Sequence, residues 1–103
     1  MGFNYQEMMK QARAMQKQME KIQEDLKNTE FESSSGGGAV KVIVNGDQEL
    51  LSINIDKDAI DIDDTGMLED MVMVAVNDAL KQSKEEARSR LSGLTGGMGI
   101  PGF

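Results

Sequence analysis

Cysteine, histidine and tryptophan are all missing from this 103-residue chain. Without cysteine there is no disulfide scaffold and no zinc-thiolate site, a composition that suits a reducing compartment. Without histidine the chain lacks the side chain most used for proton transfer near neutral pH. Aromatic residues are limited to Phe3, Tyr5, Phe31 and Phe103, so the core of one copy is small and burial shared between copies is expected. No stretch approaches the ~20 apolar residues that span a bilayer. The opening Met-Gly-Phe-Asn-Tyr-Gln-Glu has no basic segment followed by an apolar run, so no signal peptide is expected. Gln6 stands where a myristoylation signal needs Ser or Thr. The expectation is a soluble, intracellular, single small domain.

The charge is acidic overall, −7 at neutral pH, but unevenly spread. Nine of the eleven basic residues fall in two segments that read as helices. Residues 1–30 balance to zero, residues 31–66 hold Lys41 and Lys57 against eight carboxylates, and residues 67–103 carry a net of −1. An acidic middle is therefore flanked by helices whose faces are locally basic.

Asn4 with Glu7 three residues later makes a capping-box pattern. Tyr5, Met8, Ala12, Met15, Met19, Ile22 and Leu26 then recur at alternating spacings of three and four, a heptad seam of the coiled-coil kind. The spacing predicts a helix over about 5–29, roughly 37 Å long at 1.5 Å per residue. A compact chain of this size has a radius of gyration near 13 Å, so the helix should project from the body. Ser33–Gly38 reads as a turn or loop. Val40, Val42 and Val44 share one strand face, Asn45-Gly46 signals a hairpin, and Leu51, Ile53 and Ile55 share a face of the return strand. With Phe31 in a shorter first strand, strands are expected over about 30–34, 39–45 and 49–55. Asp64-Thr65-Gly66 offers a cap before a second helix over about 67–91, with Leu68, Met71, Val72, Ala75, Val76, Ala79 and Leu80 on its apolar face. Residues 1–91 thus form one α-β-α domain, and 92–103 form a Gly-rich tail expected to be flexible. The fold class is α+β: long N-terminal helix, three-stranded antiparallel meander, C-terminal helix.

Chemistry-bearing patterns are few. Lys10, Arg13, Lys17 and Lys21 line one edge of the first helix, and Lys81, Lys84 and Arg88, with Arg90 nearby, repeat the pattern on the second. Such rows can neutralise phosphates without reading bases. Charge alone equally fits a solvated face laced by the pairs Lys17–Glu20, Lys21–Glu24 and Lys81–Glu85. The methionines at 8, 9, 15 and 19 suit either an adaptable binding surface or a core seam against the second helix or a partner chain. Asp56, Asp58, Asp61, Asp63 and Asp64 miss the EF-hand pattern, since Ile60, Asp61 and Met67 stand at its fifth, sixth and twelfth positions. That segment reads as a solvated connection, with no metal expected. Gly36-Gly37-Gly38 lacks the lysine and following helix of a phosphate cradle, and no Ser-based elbow exists. No cofactor, small-molecule substrate or enzymatic activity is expected.

The ordered combination resembles one family. The run Met-Lys-Gln-Ala-Arg-Ala-Met-Gln-Lys-Gln-Met in the first helix, the Gly-broken meander, Leu68-Glu69-Asp70 leading into Ala75-Val76-Asn77-Asp78-Ala79-Leu80-Lys81, and the ending Gly-Ile-Pro-Gly-Phe together are similar to the YbaB/EbfC family of bacterial nucleoid-associated proteins. The resemblance spans essentially the whole chain. It implies a tweezer-like homodimer with a shared sheet core, double-stranded DNA as the partner, effects on DNA conformation, nucleoid organisation and protection, a cytoplasmic, nucleoid-associated location with no membrane contact, and no catalysis. On that basis Lys10, Arg13, Lys17, Lys21, Lys81, Lys84, Arg88 and Arg90 would contact phosphates. Met8, Met15, Met19, Ile22, Val42, Val44, Leu51 and Ile53 would form the core or dimer seam. The alternative is a protein–protein interaction module that uses the Met-rich seam and makes no DNA contact.

Overall fold

A computed structural model describes residues 4–95 of the chain. In order, the elements are α1 (Tyr5–Lys27), β1 (Glu30–Ser35), a 3-10 turn (Gly36–Gly38), β2 (Val40–Asn45), β3 (Leu50–Ile55) and α2 (Thr65–Thr95). The strands form one antiparallel sheet in the order β1-β2-β3. This is the α+β arrangement expected from the pattern.

Element ends are set by side chains that satisfy terminal backbone groups. Asn4 starts α1 by accepting the Glu7 N–H at 3.2 Å. The helix ends at Lys27, two residues short of the expected 29. There Asn28 Nδ2 donates to the Glu24 carbonyl at 3.2 Å and Thr29 Oγ1 to the Asp25 carbonyl at 2.7 Å, closing the last turn. Asp64 caps α2 by accepting the Met67 N–H at 3.1 Å. α2 begins two residues earlier than the expected 67 and continues past the expected 91, so Ser92–Thr95 extend the helix. The rest of the expected tail, 96–103, lies outside the described residues.

The hairpin falls where Asn45-Gly46 predicts it, by a different geometry. Asn45 N–H donates to the Glu49 carbonyl at 3.0 Å, bracketing a three-residue loop. Asn45 Oδ1 accepts from the N–H groups of Asp47 (3.0 Å) and Glu49 (2.9 Å), and the left-handed position is Gln48, with φ of 62°. The ladder shifts register between Ile43 and Val44, where Ser52 and then Leu50 stand opposite.

One sheet face carries the core. Val40, Val42 and Val44 are fully buried against Ala75 and Ala79 of α2, with Phe31, Leu68, Met71, Val72, Val76 and Leu80 packed around them. Alanine at 75 and 79 lets the helix sit close to the valines. Three serines fasten it: Ser33 Oγ donates to Asp78 Oδ2 at 2.7 Å, Ser35 Oγ to the Met71 carbonyl at 2.6 Å, and the fully buried Ser83 Oγ to the Asn45 carbonyl at 2.7 Å.

α2 lies across β1 and β2. Ile53 and Ile55 stand opposite Val42 and Val40, on the same face of the sheet, yet they extend past the helix and are exposed. The molecule is long, 75 × 24 × 16 Å, with a radius of gyration of 20.0 Å. That elongation comes from α1: Leu26 is buried and Ile22 half-buried where the helix leaves the body, while residues 5–21 are exposed.

Candidate nucleic-acid interface

A helix of 3.6 residues per turn converts the charge spacing into direction. On α1, Lys10, Arg13, Lys17 and Lys21 fall within a sector of about 80°, and Met8, Met15 and Met19 lie roughly opposite. No carboxylate occurs between Glu7 and Glu20, so the outer half of the projecting helix is locally cationic although the chain is acidic. All four cations are exposed.

The intrahelical pairs expected at Lys17–Glu20, Lys21–Glu24 and Lys81–Glu85 do not form. Among the described residues one ion pair exists, Arg90 Nε to Glu86 Oε1 at 3.1 Å. Exposed pairs at this spacing contribute only ~0.5 kcal/mol, too little to hold long side chains together against their rotamer entropy. The α1 cations therefore stand in water, available to an anionic partner.

On α2 the expected residues divide. Lys81, Lys84 and Arg88 point the same way and, with Asn77, Leu80 and Glu85, line a groove of about 370 Å³. Arg90 lies about 180° around the helix from Lys81, is half-buried and is held by Glu86. It belongs to a different face from the basic row it was grouped with by proximity in sequence.

The expected seam residues divide as well. Val42 and Val44 are core and Ile22 is half-buried, whereas Met8, Met15, Met19, Leu51 and Ile53 are exposed. They make two separate apolar surfaces. One runs along α1. The other is a groove of about 490 Å³ between β3 and α2, lined by Ile55, Leu68, Val72, Met73 and Val76.

A third feature was not singled out from sequence. At the outer end of α1, Tyr5, Gln6, Met9, Lys10 and Arg13 line a groove of about 400 Å³. The signal was present as two ladders at four-residue spacing, Tyr5–Met9–Arg13 and Gln6–Lys10, which place an aromatic ring and a thioether beside two cations.

The acidic connection is used locally. Asp56 Oδ1 accepts the Asp58 N–H at 3.0 Å and Asp61 Oδ1 the Asp63 N–H at 2.9 Å. Among the described residues no three acidic side chains converge as a metal ion requires, and no helix is long and apolar enough to cross a membrane.

The family model of the YbaB/EbfC DNA-binding family matches residues 1–98. The chain belongs to that family. A nucleoid-associated protein of Clostridium novyi is 50% identical over 102 residues, covering 99% of this chain and 90% of that one. A nucleoid-associated protein of Desulforamulus reducens is 50% identical over 103 residues, covering 100% and 98%. Among solved structures, an uncharacterized Helicobacter pylori protein matches with a TM-score of 0.83 at 28% identity, covering 91% of this chain and 99% of its own. As a YbaB/EbfC protein, the chain presents its cations on a projecting helix and its acids on the body between the helices.

Proposed function

We propose that this YbaB/EbfC protein is a non-enzymatic, nucleoid-associated protein that binds double-stranded DNA as a homodimer and alters its conformation. The observation that carries the reading is α1 itself: a projecting helix with Lys10, Arg13, Lys17 and Lys21 in one sector and none of them ion-paired. Phosphate contact needs little more than positioned cations, and it tolerates an acidic body as long as that body stays away from the duplex.

Dimerisation is supported by the second apolar surface. β3 is an edge strand with no charged side chain from Leu50 to Ile55, and it exposes Leu51, Ile53 and Ile55 beside the β3–α2 groove. Natural sheets usually guard such an edge with charge, proline or cover. A second copy seated there buries the apolar face and gives each particle two arms, the geometry needed to clamp or bridge a duplex.

Fluorescence anisotropy of a labelled duplex, titrated at several salt concentrations, tests this. Four α1 cations on phosphates give a log–log salt slope near −3.6, at about −0.9 per phosphate. Charge reversal at Arg13 and Lys17 should abolish binding at moderate salt. Absence of binding by the native protein even at low salt refutes the reading. The exposed Met15 and Met19 support a second reading, a protein partner on the α1 seam; that contact would survive the charge reversal and be lost on polar replacement of Met15 and Ile22.

A further inference from the structure

We propose that Tyr5 is a base-contacting residue: its ring, with Met9 beside it, wedges against a base step of duplex DNA while Lys10 and Arg13 hold flanking phosphates. This rests on the DNA-binding reading above and names the part of the arm that touches bases.

Position comes first. Side chains on a helix lean toward its N-terminus, so a residue in the first turn projects off the end. Tyr5 is the first residue of α1, at the end farthest from the body, and its side chain leads the arm. It is 67% exposed and makes no hydrogen bond to a described residue. A large ring held in water at the tip of a projecting helix contributes nothing to the core formed by Val40, Val42, Val44, Ala75 and Ala79.

The surroundings then define the partner. The Tyr5 groove continues through Met9 into Lys10 and Arg13, with Lys17 next along the same side, and Glu7 is the only carboxylate before Glu20. An apolar protein surface would explain Tyr5 and Met9 but not the adjoining unpaired cations. Simple phosphate binding would explain the cations but not the exposed ring. Duplex DNA offers both chemistries together, anionic rails with stacked apolar faces between them, and proteins that deform it insert apolar side chains between base steps. Tyr5 and Arg13 are about 12 Å apart along the helix axis, so one arm engages bases at its tip and backbone behind it. The ring is the slender part of the arm. A helix is ~10–12 Å across, wider than the ~6 Å minor groove, but a single ring enters where the helix cannot.

The protein supplies its own reporter. Tyr5 is the only tyrosine and there is no tryptophan, so ultraviolet emission reports on this ring alone. Adding an unlabelled duplex at low salt should quench that emission, after correction for DNA absorbance, in step with the anisotropy rise of a labelled copy. Tyr5→Ala should weaken binding on the order of tenfold, the scale of one base–aromatic contact, with the salt slope unchanged because no phosphate contact is lost. Lys10→Gln with Arg13→Gln should instead reduce the slope by about 1.8 and leave the emission quenched at saturation. If DNA binds while tyrosine emission stays constant and Tyr5→Ala binds like the native protein, the wedge is overturned and DNA binding stands. Quenching on raising protein concentration without DNA would assign the ring to self-association and also overturn it. No binding at any salt removes the DNA reading and the wedge together.

Discussion

Gly46 donates its backbone N–H to the Leu26 carbonyl at 2.8 Å, so close that a Cβ on Gly46 would stand 2.5 Å from that oxygen. The same N–H also reaches the Thr29 carbonyl at 3.0 Å. Across the hairpin, the carbonyl of the neighbouring Asn45 accepts from Ser83 of α2. One turn thus joins the root of α1 to the middle of α2.

Gly46→Ala should therefore act on the arm. The added methyl meets backbone and the Leu26 Cβ rather than a flexible side-chain end, so α1 must move. A destabilisation of about 1–3 kcal/mol is expected from overpacking. Urea denaturation measures the energy. Spin labels on cysteines introduced at Ala14 and Asp56 measure the displacement, cleanly because the chain has no cysteine of its own. An unchanged label distance would show that the contact does not set the arm's direction.

The acid limb of stability should depend on Ser33. Its hydroxyl donates to Asp78 and is the largest influence holding that carboxyl below its ordinary pKa, with Gln82 and then the charge of Lys81 adding to it. A depressed folded-state pKa favours the carboxylate in the native state. Its stabilisation is present above the ordinary carboxylate range and is lost as pH falls through the folded value. Ser33→Ala should lower the melting temperature at neutral pH, with the gap from the native protein narrowing in acid. Melting curves between about pH 2 and 7 check this; a gap that stays constant into acid would separate Ser33 from the Asp78 titration.

Ile53→Glu should divide the two roles of the molecule. Ile53 is 45% exposed, unlike Val42 opposite it at 0%, so a charge there spares the core of one copy. Light scattering should report a dimer for the native protein and a monomer for the variant, with similar circular dichroism. DNA affinity should fall because one arm per particle remains. A dimer that survives the substitution would place the interface elsewhere.

How far these features were legible in sequence follows from what each depends on. The three-and-four spacing from Tyr5 to Leu26 and the Asp64 cap are local, and they became α1 and the start of α2. Alternation put Val42 and Ile53 on equivalent faces, and the register agrees. Which of them α2 covers depends on where the helix crosses the sheet, and Ala75 and Ala79 settle that only once the fold exists. Arg90 shows the same limit: adjacency in sequence grouped it with Arg88, whereas the helical turn placed it on another face beside Glu86.

Arg88 and Arg90 consequently make a matched pair for the last prediction. Arg88 lies in the groove with Lys81 and Lys84, so Arg88→Gln should remove one phosphate contact and reduce the salt slope by about 0.9. Arg90 already donates to Glu86, and a duplex lying along Lys81 and Lys84 is on the far side of the helix from it. Arg90→Gln should therefore leave the salt slope unchanged and cost up to ~0.5 kcal/mol of stability, the scale of an i,i+4 helix pair. Anisotropy titrations and thermal melts of the two variants check both halves. Equal loss of slope in both would mean that DNA contacts α2 on more than one face, as it would if the duplex passed between the arms of two chains rather than along one.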